Sequence, residues 1–188
     1  MDFNNLVRSI VEPVLLFFGF KIKQELKGIA EYDLNNLAIT ISYDLMSSYE
    51  VDVTLLFKES GLFYGYSELK EYFYNIEPHL SAVQIKDENT LIEWLQDVKE
   101  FLKENLNEII DDQKDVQKGL ERIRQNMINS YESKKNSRLL SESVEKYWAV
   151  KDYQGLVKFL KSYNGELGRA IKKKYEYALK MIDEKNSF

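Results

Sequence analysis

Few residues in this chain could do chemistry, and their spacing limits what that chemistry could be. There is one histidine, His79 in the stretch IEPHLSA, and no cysteine. One imidazole without a thiolate cannot supply the usual ligands of a zinc site, and no serine or aspartate partner can be placed beside it to make a catalytic base. The run EIIDDQKD sets Asp111, Asp112 and Asp115 close together, yet on a helix only Asp111 and Asp115 share a face, and no glycine-turned calcium loop is present. A solvated face or a helix N-cap is the expected role. Gly61 and Gly65 lie around an aromatic stretch without the Gly-Lys-Ser/Thr or Gly-x-Gly pattern that cradles phosphate. No metal or cofactor is expected, and a non-enzymatic protein is the reading these residues favour. The enzymatic alternative needs a polar pocket of tyrosine and carboxylates around Tyr43 or Tyr66.

The one local feature that hints at a partner is a hairpin. Leu37, Ile39, Ile41, Tyr43 and Leu45 alternate with smaller or polar residues, and Val51, Val53, Leu55 and Phe57 do the same, which is the period of half-buried strands. Pairing Tyr43 with Val53, Ile41 with Leu55 and Ile39 with Phe57 aligns the buried faces and places Asp44 opposite Asp52. Like charges directly opposed cost a few tenths to about 1 kcal/mol. A loop at Ser47, Ser48 and Tyr49 would close this turn, with Glu50 adding a third carboxylate. Asp44, Glu50 and Asp52 are therefore candidate contacts for a basic surface, and Tyr49 is the candidate aromatic anchor. The alternative is a solvated hairpin end whose repulsion water screens.

Composition sets the frame for these residues. The chain has 188 residues, 44% of them apolar, with 13 Tyr and 10 Phe but only 2 Pro and 8 Gly, which suits a globular protein with little flexible linker. Absence of cysteine rules out a disulfide framework and fits a reducing compartment. The apolar run Val14 to Phe20 is too short to span a bilayer, and no basic flank or cleavage site precedes it, so a soluble cytoplasmic protein is expected. The formal charge of −5 is uneven: residues 1–86 hold 7 Lys/Arg against 12 Asp/Glu, and residues 87–188 hold 19 of each. That balance argues against nucleic acid and for a basic protein partner of the first half. The lysines at 172–174 fan across a wide arc of a helix and read as a solvated face.

Hydrophobic period predicts the helices and strands that carry these residues. Residues 3–18 form an apolar helical face interrupted by Pro13, Gly19 stops it, and FKIKQEL alternates like a half-buried strand. KGIAEYDLNN suits a short second strand or an extended turn. A short aromatic strand follows Gly61, with Ser67 as N-cap of a helix through Tyr74. From Asp87 the period becomes helical, with Thr90 and Glu93 placed for a capping box and an apolar stripe from Leu91 to Met127. One helix of about 45 residues and two helices broken near DDQKD fit equally well. Three further helices are expected at 137–150, 152–163 and 166–183. The expected fold is α+β: an N-terminal helix with an antiparallel meander sheet in residues 1–86, then an all-helical bundle in 87–188 with one long helix or helical hairpin, the two being separate parts or one continuous domain.

Two resemblances accompany this reading. The segment from Tyr147 to Ile182 resembles a single tetratricopeptide-type helix pair, in which an aromatic after Lys-Asp wedges between antiparallel helices. The order of EPVLLFFGFKIK, the two alternating strands and YSELKEYF resembles small bacterial α+β proteins, some of them immunity proteins of polymorphic toxin systems. That resemblance implies a cytoplasmic protein that neutralises a basic toxin domain by binding it, without catalysis. The competing reading is a helical adaptor or self-associating scaffold that uses the long helix and the tetratricopeptide-like pair; exposed Leu or Ile on a second face of that helix would favour it.

Overall fold

A computed structural model describes residues 2–76 and 83–186. The chain divides into two compact units, Met1–Asn126 and Met127–Phe188. The expected division after residue 86 is corrected. Leu91, Leu95, Val98, Leu102 and Leu106, with Val116 and Leu120 further on, are buried in the same core as the sheet, so the first helices after residue 86 belong with it.

In the first unit, α1 (Phe3–Ile10) and α2 (Glu12–Phe17) are separated at Val11, with Pro13 in the first turn of α2, where its missing N–H costs nothing. Gly19, at φ 86°, turns the chain into the sheet. The strands are β1 (Lys21–Leu26), β2 (Ile29–Leu34), β3 (Leu37–Tyr43), β4 (Glu50–Phe57), β5 (Leu62–Gly65) and β6 (Val83–Gln84). The first five form an antiparallel meander in chain order, and β6 pairs with the start of β4. One face buries Tyr32, Ile39, Ile41, Val53, Leu55 and Tyr64 against the helices.

β1 departs from expectation, because it is almost wholly exposed rather than half-buried. It is the edge strand, kinked by a register shift between Ile22 and Gln24 and carrying Lys21 and Lys23. A bulge and lysines are the usual guards against a second chain pairing there.

The hairpin of β3 and β4 also departs from expectation. Tyr43 pairs with Val51, Ile41 with Val53 and Leu37 with Phe57, so the register is shifted by two residues and Ser42, not Asp44, lies opposite Asp52. A shift of two preserves which residues face the core, so the buried face alone could not choose between the registers. The loop chooses. It runs from Leu45 to Tyr49, with the Asp44 N–H donating to the Glu50 carbonyl at 2.8 Å and Tyr49 at φ 56°.

Helix α3 (Tyr66–Tyr74) is capped at Gly65, whose N–H donates to the Glu68 carboxylate at 2.9 Å, so Ser67 lies inside the helix and is not its cap. Helix α4 (Glu88–Asp111) is capped by Asp87, which accepts from the Thr90 N–H at 2.9 Å; Thr90 receives the cap rather than making it. The helical stripe is broken at Asp112 (φ −115°, ψ 37°), and α5 (Gln113–Ala149) then continues for 37 residues, absorbing the helix expected at 137–150. Gly119 has a packing reason. A Cβ there would lie 2.1 Å from the Tyr72 ring, so the glycine lets α3 seat directly on the α5 backbone.

In the second unit the end of α5, α6 (Tyr153–Lys161) and α7 (Arg169–Asn186) enclose a small core of Leu140, Val144, Leu156, Leu160 and Ala178. Tyr153 packs edge-to-face against Trp148 at 5.8 Å and against Tyr177 at 5.9 Å, so the aromatic after Lys-Asp does sit between α5 and α7. Lys172 and Lys173 are exposed, whereas Lys174 lies over the Trp148 ring at 5.1 Å and pairs with Glu145.

Candidate functional site

An opening of the first unit forms where β4 loses its neighbour. β5 pairs with β4 only as far as Thr54, where Gly65 leads into α3, and β6 joins β4 only at Val51 and Glu50. Asp52 lies in the gap between them. A groove of about 830 Å³ opens here, lined by Asp52, Glu50, Tyr43, Tyr66, Trp94 and Asp97, with Met46, Ile76 and Val83 at its margins. Met46 is 84% exposed, and Ile76 and Val83 are about half exposed, so the rim offers apolar surface to a ligand.

Each acidic residue in the groove is held differently. Asp44 is consumed by its own loop. One carboxylate oxygen accepts the N–H groups of Met46 (2.9 Å) and Ser47 (3.1 Å), and the other accepts the Ser47 and Ser48 hydroxyls (2.5 and 2.9 Å) and the Ser48 N–H (3.2 Å). The Ser47 hydroxyl, followed by the other donors, holds its pKa far below the ordinary carboxylate range. Asp52 faces the start of α3. It accepts from the Tyr66 N–H and from the Thr54 hydroxyl, each at a long 3.4 Å. The groove walls remove enough water from Asp52 to raise its pKa despite those donors, although its side chain still reaches solvent. Asp97 accepts from the Tyr66 hydroxyl at 3.0 Å and from the Lys70 ammonium at 2.5 Å, and that ammonium also lies 4.8 Å over the Tyr66 ring. Glu50 is exposed at the mouth.

The two phenols are hydrogen-bond donors held neutral. Tyr43 donates to the Ile85 carbonyl at 2.7 Å, and burial raises its pKa. Burial, with Asp97 beside it, likewise keeps Tyr66 protonated.

Of the sequence candidates, the structure brings Glu50 and Asp52 into one groove and places Asp44 there as a committed loop cap. Tyr49 is not among the groove residues; it is partly exposed, with Lys86 5.9 Å over its ring. Sequence reasoning missed Trp94, Asp97 and Lys70 as partners of Tyr66, because they come from two helices whose packing no local pattern reveals. His79 lies outside the described residues. Asp111 ends α4, Asp112 breaks the stripe and Asp115 is in the first turn of α5; among the described residues no group of three or more His, Cys, Asp or Glu is placed to hold a metal ion. No described helix is long and apolar enough to cross a membrane.

The unit boundary sharpens the charge split. Residues 1–126 hold 13 Lys/Arg against 23 Asp/Glu, net −10, while residues 127–188 hold 13 against 8, net +5. Compared with protein families, with curated proteins and with solved structures, the chain matches none.

Proposed function

We propose that this is a non-catalytic binding protein whose acidic α+β unit holds a basic segment of a partner protein in the groove beside Asp52. The observation that carries the reading is the groove itself: an opening of about 830 Å³ with Asp52 inside it, Glu50 at its mouth and apolar side chains on its rim, on a unit of net charge −10. A carboxylate partly desolvated by the groove walls gains from a strong cationic donor. The apolar rim suits the hydrophobic neighbours of that cation. Inhibition of a basic toxin domain, as in immunity proteins, is the specific biological form proposed, in which groove and rim occlude the toxin surface.

Trp94 supplies the reporter. In a Trp148→Phe background, titration with a short peptide alternating leucine and arginine should change Trp94 fluorescence, and the matching leucine–glutamate peptide should not. Glu50→Lys combined with Asp52→Lys should abolish the response while the far-ultraviolet circular dichroism stays that of the parent. Equal binding of both peptides, or unchanged binding by the double variant, would overturn the proposal.

A further inference from the structure

Between its two ends, α5 has a stretch with no buried side: every side chain from Ile128 to Leu139 is exposed. That stretch is not uniformly polar. At about 100° per residue, Ile128, Tyr131, Glu132, Lys135 and Leu139 fall within an arc of about 100°. Ile128 and Leu139 are each 45% exposed and Tyr131 is 59% exposed, on a helix whose other exposed positions here are mostly charged or amide residues.

The stripe is complementary to itself when reversed. For two antiparallel copies related by a two-fold axis between Ser133 and Lys134, Ile128 lies level with the second copy's Leu139, and Glu132 lies level with its Lys135. Each of these contacts occurs twice, as an isologous interface requires. A parallel arrangement would instead set Glu132 against Glu132 and Lys135 against Lys135.

We infer that the exposed middle of α5 is a self-association surface, on which a second copy of this chain docks antiparallel through Ile128, Tyr131 and Leu139 with Glu132 and Lys135 fixing the register. The inference is independent of the groove. Three apolar side chains per copy make a patch well below standard interface size, so the association is reversible and reads out at micromolar concentration. Its Glu132–Lys135 contacts are exposed to solvent, so it weakens with added salt.

Sedimentation velocity of the full chain from about 1 to 200 µM tests it. Wild type should pass from monomer to dimer over that range. Lys135→Glu, which sets a second carboxylate against Glu132 at both symmetry-related contacts, should weaken the dimer at least about tenfold, and Glu132→Lys should do the same. An equimolar mixture of the two variants should restore the dimer, because each then supplies the charge the other lacks. Both positions are exposed, so circular dichroism should stay unchanged throughout. A wild type that is monomeric over the whole range overturns the inference. So does a dimer that both variants leave intact, or a mixture no more dimeric than its components.

Discussion

Removing Arg124 should destabilise the first unit by breaking a buried ion pair from one side. Its guanidinium forms a fork on Glu68, Nε to Oε1 and Nη2 to Oε2, both at 2.7 Å, and Nη2 also donates to the Phe63 carbonyl at 2.5 Å. The same group lies 4.4 Å over the Tyr64 ring. Glu68 is only 8% exposed, so Arg124→Met leaves a buried carboxylate held by the Gly65 N–H alone. Breaking a buried pair from one side costs about 3 to 5 kcal/mol, and because Arg124 is itself 32% exposed the expected loss is nearer 2 to 3 kcal/mol. Glu68→Leu should cost about 1 kcal/mol, chiefly the cap of α3, because Arg124 can turn to water. The double variant should cost no more than Glu68→Leu alone, a coupling of about 2 kcal/mol. Urea unfolding followed by Trp94 in a Trp148→Phe background measures each corner of the cycle. With a slope near 2 kcal/mol per molar urea, Arg124→Met should lower the midpoint by about 1 to 1.5 M. A coupling below about 0.5 kcal/mol would refute the reasoning and reduce the pair to a solvated surface bridge.

Two further predictions use the same unit. Gly119→Ala gains about 1 kcal/mol of helix propensity but forces a methyl to 2.1 Å from the Tyr72 ring, which is itself packed edge-on against Phe73 at 4.7 Å. The net effect should be a loss of about 1 to 2 kcal/mol in the same urea assay, relieved when Tyr72→Ala is added, and a stabilised single variant would show that α3 does not seat there. Asp44 and Asp52 should respond to pH with opposite signs. Asp44 has a lowered folded pKa, so its contribution is full above the unfolded value of about 4 and is lost as pH falls below it; Asp44→Ala should lower Tm at pH 7, with a gap that closes under acid. Asp52 has a raised folded pKa, so its ionised form opposes folding above that range; Asp52→Asn should unfold no earlier than wild type at pH 7, with any advantage shrinking towards pH 4. Thermal melts across pH 3 to 7 that move both variants in the same direction would contradict the two environments.

Much of the fold was legible because it rests on periodicity. The alternation of Leu37 to Tyr43 and Val51 to Phe57 reports which side chains face the core, and all of those core positions are buried. Pro13 and Gly19 act through backbone geometry that needs no tertiary knowledge. The same period misled at β1, because alternation of Ile22, Gln24 and Leu26 records amphipathic character but not whether anything covers the strand. It also misplaced the unit boundary. A helical stripe such as Leu91 to Ile109 says that one face is buried, yet it is silent on whether a sheet or another helix buries it.

The candidate site was legible only in part, for a reason visible in its three hairpin acids. Charge type and sequence proximity marked Asp44, Glu50 and Asp52 alike, and the two-residue ambiguity of register allowed two of them to be set in opposition. What separates them is the hydrogen bonding each receives. Asp44 is followed by Ser47 and Ser48, whose hydroxyls and N–H groups satisfy both its oxygens, and that local demand lengthens the loop and slides the strands out of the Asp44–Asp52 pairing. The serines were in plain view, so an Asp followed three and four residues later by Ser is a signal that could have fixed the register. Asp52 offers no such signal. Besides Thr54, its surroundings come from Tyr66, fourteen positions along the chain, and the groove wall it shares with Asp97 depends on α3 and α4 packing together. A carboxylate whose surroundings depend on distant elements, placed where two strands part, is therefore what the proposed binding role rests on, and not like charges opposed across a hairpin.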